Sequence, residues 1–390
     1  MLSLTAWASL APAEPTAREQ SLQRAAEFLW SKQHDDGSWR SDYYGVMRSG
    51  QSLTPFVLYA QMLNIDSLAS DEAARVRRAT DFILANIDEH GALGRSEDDV
   101  LEYPVYSTAY ALEALRHVLK YQKAWGPGPC HVIQKARQRM GDYLLRAQYQ
   151  EANGFEKDHV AYGGWGFNAP TGKGVVGHMD IAHTRKALSA LAKYHDEKQL
   201  EELRQRAALF LLLMQKDPRA AAAQPHPVEL PSDDVTSVFD GGFYFSPVAL
   251  SANKAPYDEN TRSWPSYASA TCDGILALLA AGVPADDPRV VAAADWLRQH
   301  PQVDYPEGVP TDHPEPWGDA IRFYHYAVRA EVYNKLSFPA ADKRRLAAAV
   351  LKHQLPDGSF SNSHSPLMKE DDPLVCTSLA MIALANCDAD

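Results

Sequence analysis

The sequence predicts an all-α protein, an (α/α)6 barrel in which six helical hairpins close into two concentric rings. Three observations carry that prediction. Amphipathic helical segments, charged on one side, alternate strictly with segments rich in small, apolar and aromatic residues, giving six pairs. A threonine returns at one slot in five members of the second set, as Thr54, Thr108, Thr184, Thr271 and Thr377, with His325 in the sixth. The turn "QHDDGSW" that follows the first helix, Gln33 to Trp39, returns near the other end as "QLPDGSF", Gln354 to Phe360.

The amphipathic set comprises Glu19–Gln33, Asp71–Ile87, Val132–Tyr149, Glu197–Lys216, Asp287–His300 and Ala340–Gln354, and forms the expected outer ring. The apolar set begins at Ser52, Val105, Asp180, Ser269, Arg322 and Leu374, and forms the inner ring. Loops marked by Gly, Pro or aromatics join the two members of each pair. In the Asp-Gly turns, glycine accepts a positive φ and the aromatic pins the loop to its neighbours. An open solenoid would need polar end repeats, yet the last inner segment, "SLAMIALAN", is as apolar as the middle ones. Closure follows, with Trp39 and Phe360 as neighbours.

Two loops are enlarged, about 149–180 and 217–265, and loops of that length are usually functional. Part of the second, which opens on "RAAAAQPHP", is expected to fold over the barrel mouth. Its "DGGFYFSPV" alternates like a short strand or hairpin. The toroid accounts for residues 19–390, and residues 1–18 read as a tail or a trimmed signal segment. The opening "MLSLTAWASLAPAEP" has no positive n-region, so location, cytoplasmic or exported, stays open.

Bulk properties exclude several classes. Of 390 residues, 45% are apolar and 23% charged, as in a globular protein with a substantial core. A net charge of −12 with no basic run argues against a nucleic-acid partner. Four cysteines without CxxC spacing imply neither a disulfide framework nor a zinc ribbon. No apolar run approaches the ~20 residues of a membrane span, so any membrane contact would be peripheral.

"AAEFLWSKQHDDGSW", Ala25 to Trp39, resembles the QW motif of squalene–hopene and oxidosqualene cyclases. "GGWGF" at Gly163 and "DGGF" at Asp240 are similar to glycine loops of that superfamily, which includes protein prenyltransferase β subunits. "WPSYASATCDGILALLAAG" from Trp264 resembles bacterial prenyltransferase and squalene-oxidase repeat proteins, and the likeness spans about residues 19–386. The resemblance implies a polyprenyl or terpenoid substrate in the barrel, with cyclase-like or transferase-like chemistry. The chain departs from it at two places. The Asp-x-Asp-Asp-Thr start that supplies the cyclase acid is matched by Asp180-Ile181-Ala182-His183-Thr184, with Ala182 at the acid position. "RFYHYAV" places His325 where prenyltransferases hold a zinc histidine, but their Asp-x-Cys pair is missing.

Six inner-helix N-termini share one mouth, whose unpaired N–H groups suit a diphosphate or carboxylate. The acid–base candidates there are His325, Asp319, Asp273 and His183. Arg322 is the anion-binding candidate, with Tyr106, Tyr267, Tyr324 and the loop aromatic Trp165 as substrate contacts. No cofactor is expected. Zinc or magnesium is the open alternative, zinc through the string His178, Asp180, His183 with Cys272, Asp273 and His325. "DDVLE" at Asp98 mimics a magnesium-binding pattern of ionising terpene synthases, but it lies in a loop. The acids at 97–99 and 370–372 are expected to complement the helices that follow them. Two other functions compete with isoprenoid handling: a non-catalytic toroid binding a lipid, peptide or protein, and an (α/α)6 carbohydrate-active enzyme. The sequence leaves open whether the barrel is catalytic.

Overall fold

Twelve helices alternate between two rings in the computed structural model, which describes residues 15–388 apart from 66, 97–99, 101, 126, 193–196 and 218–238. At 122, 124, 127, 197 and 198 it describes the backbone alone. The outer helices are α1 (Ala17–Ser31), α3 (Ser70–Ala85), α5 (Pro127–Ala147), α7 (Glu197–Met214), α9 (Pro288–Gln299) and α11 (Ala340–Leu351). The inner helices are α2 (Leu53–Met62), α4 (Pro104–Val118), α6 (Ile181–Leu191), α8 (Ala268–Ala280), α10 (Arg322–Lys335) and α12 (Pro373–Ala385). Each inner helix packs on the next, and α12 returns to α2, so the ring closes.

Composition explains the layering. Every residue of α2 is buried, as befits an apolar helix enclosed on all sides, whereas α9 buries only Val290, Ala293, Ala294, Trp296 and Leu297. Local signals set the ends. Thr16 and Glu19 form a capping box at α1. Asp287 and Asp372 cap α9 and α12 ahead of prolines at the first helical position.

One device joins the rings five times over. The threonine hydroxyl of the inner helix accepts a loop N–H: Trp39 to Thr54 at 3.0 Å, Leu93 to Thr108 at 3.0 Å, Trp165 to Thr184 at 3.0 Å, Phe243 to Thr271 at 3.1 Å and Phe360 to Thr377 at 2.9 Å. Gly37 and Gly163 precede such aromatics at φ 89° and 87°, and a Cβ on either would strike the carbonyl of Arg78 or Arg206 on the next outer helix. Four glutamines complete the joint. Gln33, Gln148, Gln215 and Gln354 each donate to their own turn-glycine carbonyl and to a carbonyl of the following outer helix. For Gln354 that carbonyl is Ser21 of α1, at 2.9 Å. Arg18 pairs with Asp388 at 2.8 Å, which places the two described ends side by side.

Two local expectations are corrected. "DGGFYFSPV" makes no strand and contributes one isolated bridge, Gln215 with Phe243, because its N–H groups are taken by side chains and by other loops. The acids at 370–372 do not all serve the helix that follows. Asp372 caps α12, while Glu370 reaches back to accept the N–H groups of Phe323 and Tyr324 at the start of α10. The acids at 97–99, the start of "DDVLE", the stretch "RAAAAQPHP" and residues 1–14 lie outside the described residues.

Candidate functional site

All six outer-to-inner loops meet at the N-terminal end of the inner ring, where a cavity of about 520 Å³ descends between the inner helices. That size is in the ordinary range for a small-molecule site. Helical spacing selects its walls. Residues two positions before the threonine slot line it (Tyr106, Ala182, Ser269, Val375), as do residues two positions after (Phe56, Tyr110, Asp273, Leu379). No slot residue reaches it, because that face is turned to the outer ring. The enlarged loops supply Phe167, His178, Phe245, Ser251, Ala252 and Lys254, so both fold over the mouth.

Tyr106, Tyr267, Tyr324, His183 and Asp273 line this cavity together. Arg322, Asp319, His325 and Trp165 do not, and their expected placement is corrected. His325 fills the sixth slot and is fully buried against the outer ring, so it cannot meet a ligand from the mouth. Neither of its ring nitrogens makes a well-formed hydrogen bond, the backbone of Gln302 offering a marginal one. Burial, with Arg329 beside it, holds its pKa well below 6.5. Arg322 is committed to an ion pair with Asp319 at 2.5 Å. Trp165 is an internal anchor whose indole donates to Leu144 O at 2.8 Å.

Three buried acids line the cavity: Asp180, Asp273 and Glu370, the last bound to the start of α10. Asp180 caps α6 through the His183 N–H at 2.9 Å, and also meets His183 Nδ1 at 2.9 Å and His178 Nε2 at 3.2 Å. Burial opposes its ionisation, but His183 and then the bonds from both histidines hold its pKa below the ordinary range. His183 Nε2, buried in the wall, has no partner among the described residues. Asp273 on α8 differs. Burial pushes its pKa up to about 7, against the opposing pull of Arg185 and of the Tyr324 hydroxyl. Arg185 Nε lies 2.9 Å from one carboxylate oxygen, and the Tyr324 hydroxyl donates at 2.8–2.9 Å. Asp273 therefore holds its proton to a higher pH than an ordinary carboxyl does. At the rim, Lys254 Nζ sits 4.4 Å from the Trp317 ring centre and 4.7 Å from that of Phe245. Burial lowers its pKa to about 8.

The metal ligands proposed from sequence do not form one centre, although His178 and His183 both meet Asp180. No group of three or more His, Cys, Asp or Glu able to hold a metal occurs among the described residues. Cys272 is buried, and its thiol is pushed up to about 12, which keeps it protonated. Sequence reasoning missed Arg185, Glu331 and Lys254. The first two are isolated charges on inner helices, with no spacing that marks their pairing, and the third lies in an aperiodic loop.

The fold and site define a closed (α/α)6 toroid with an aromatic cavity whose wall includes two acids, Asp273 and Glu370, that burial pushes up to about 7. No family model and no curated protein matches the sequence. Solved structures do match over nearly the whole chain. A protein from Actinoplanes is 16% identical, with 95% of this chain and 99% of that one covered and a TM-score of 0.52. The type II terpene cyclase MstE from Scytonema is 15% identical, with 95% and 98% covered and a TM-score of 0.51. An inactive variant of an α-1,6-mannanase from Salegentibacter, bound to α-1,6-mannotriose, is 11% identical, with 95% and 99% covered and a TM-score of 0.53. These likenesses establish the fold. Among the described residues, no helix is long and apolar enough to cross a membrane.

Proposed function

We propose that the protein binds an isoprenoid chain in the barrel cavity and initiates its cyclisation or rearrangement by proton transfer from Asp273. The observation that carries this reading is a buried carboxyl, held by Arg185 and Tyr324 and pushed up to about 7 by burial, in a wall that includes Phe56, Tyr106, Tyr110, Phe167 and Tyr267. A general acid works best when its pKa lies near the working pH. The Asp273 proton would be taken by a carbon–carbon double bond, whose π pair forms the new C–H bond and leaves a cationic carbon. Arg185 and the Tyr324 hydroxyl stabilise the carboxylate left behind, and aromatic faces stabilise the cation. Asp273 thus does the work that Ala182, also in the cavity wall, cannot. The anion-holding role expected of Arg322 falls to Lys254, which meets no carboxylate within ion-pair distance among the described residues and faces the cavity. A sugar site would need opposed carboxylates and flat stacking faces. Here Asp180 is already saturated by two histidines, which weakens that reading.

The test is incubation with polyprenyl acids, alcohols and diphosphates from farnesyl to geranylgeranyl length, and with squalene, followed by mass spectrometry. Cyclised isomers of unchanged mass are expected. Asp273→Asn keeps the shape and should lower their formation by roughly 10²–10⁴-fold. Absence of both binding and turnover across the series would sink the reading.

A further inference from the structure

Arg185 is divided between two carboxylates. Its Nε meets Asp273 Oδ1 at 2.9 Å, and its Nη1 meets Glu331 Oε2 at 3.0 Å. Glu331 lies on α10, two turns beyond Tyr324, and is not part of the cavity wall. One helix therefore supplies both the hydroxyl that holds Asp273 and the carboxylate that draws on its arginine. Resting on the reading of Asp273 as proton donor, we propose that Glu331 is the positioning residue that keeps Asp273 protonated. It does so by engaging one arm of the Arg185 guanidinium from the far side of the inner ring.

The surroundings of Asp273 leave few other candidates. From α6 it faces Arg185 and Asp180, and from α10 Tyr324 and Glu331. From α4 it faces Tyr106 and Tyr110, and from the start of its own helix Tyr267 and Cys272. The four tyrosines and the thiol are all pushed upward by burial and are neutral near pH 7. The Asp180 charge is held locally by His178 and His183. Glu331 itself also faces Lys186, which is buried over the rings of Tyr59 and Tyr110. With the Glu331 charge removed, two changes act in the same direction. Arg185 becomes free to pair wholly with Asp273, and a repelling negative charge disappears. Both favour the ionised Asp273.

Infrared titration of the whole protein reads this without substrate. The Asp273 carboxylic C=O band is assigned by its loss in Asp273→Asn and followed from acid to alkaline pH. A midpoint near 7 is expected in the wild type. In Glu331→Gln it should fall by about one unit or more, the size of effect a neighbouring opposite charge exerts. Glu331→Asp, which shortens the reach to Arg185, should give a smaller fall, and serves if the glutamine variant does not fold. A midpoint unmoved in either variant, or raised, overturns the inference while leaving the functional reading intact. Full turnover by Asp273→Asn would instead remove the functional reading and leave the titration result standing.

Discussion

The fifth and sixth hairpins perform the same turn with different chemistry. In the sixth, between α11 and α12, Gln354, Gly358, Phe360 and Thr377 interlock as they do in most of the ring. The fifth, between α9 and α10, has none of these. Here the carbonyls of Leu297 on α9 and of His300 and Gln302 just beyond it are gathered by the buried Arg329 guanidinium at 2.6–3.3 Å. Its inner-helix N–H groups are satisfied by Glu370 from the sixth loop. The loop itself is thereby released from the wall between the rings, and Trp317 and Ile321 line the cavity instead. Five turns hold the barrel closed, and the exceptional one helps to shape what it contains.

The largest effect that sharpens this contrast is expected from Glu370→Ala. It strips the acceptor from two buried backbone donors and from the Asn362 amide, at roughly 1–3 kcal/mol for each buried group left unpaired. A loss of about 4 kcal/mol should appear in urea titration. Thr377→Val removes the acceptor of one buried N–H, that of Phe360, and should cost about 2 kcal/mol by the same measurement. The smallest effect belongs to His325→Leu. Because the imidazole has no well-formed partner, an apolar side chain of similar size should leave stability within about 1 kcal/mol of wild type at pH 7.5. Turnover should be retained, since His325 does not reach the cavity. A large loss here would show that the sixth slot is as structural as the threonines.

That last variant also carries a pH signature. The folded protein holds His325 neutral, while the unfolded chain takes up its proton near pH 6.5. The contribution of His325 is thus fully present above that pH and is lost as pH falls through it, at up to about 1.4 kcal/mol per unit. Glu370 works in the opposite sense. Burial raises it to about 7, so its contribution is lost as pH rises from about 4.5 toward 7. The two slopes overlap in the wild type, so the informative quantity is the difference between His325→Leu and wild type. That difference should grow in favour of the variant between pH 7 and pH 5.

Much of this arrangement was legible because its causes are local. A threonine in five of six hairpins, a glutamine at the end of four outer helices and a glycine before an aromatic each report a bond made within one turn or to the next repeat. The same threonines also fix which way each inner helix faces, and that geometry removes His325 from the cavity and puts Asp273 into it. Chemical familiarity with histidine, and the likeness of "RFYHYAV" to a zinc-binding segment, pointed the other way. What sequence could not show was the meeting of distant charges. Arg185 and Glu331 are 146 residues apart, and Lys254 acquires its place only when a long loop folds over the mouth.

The bond from Gln354 to Ser21 spans 333 residues, and it has a consequence for how the chain comes into being. Each earlier hairpin can dock on its predecessor as it leaves the ribosome, since those contacts lie close in sequence. The last cannot be preceded by closure. Until α12 is synthesised, the nascent chain is a crescent whose first inner helix, apolar on every side, has no neighbour on one flank. The entropy of joining the ends is met only at the final step. A closed ring thus removes its exposed edge only once α12 has been made, and the crescent before that moment is the form with an apolar flank open to chaperones or to another copy of itself.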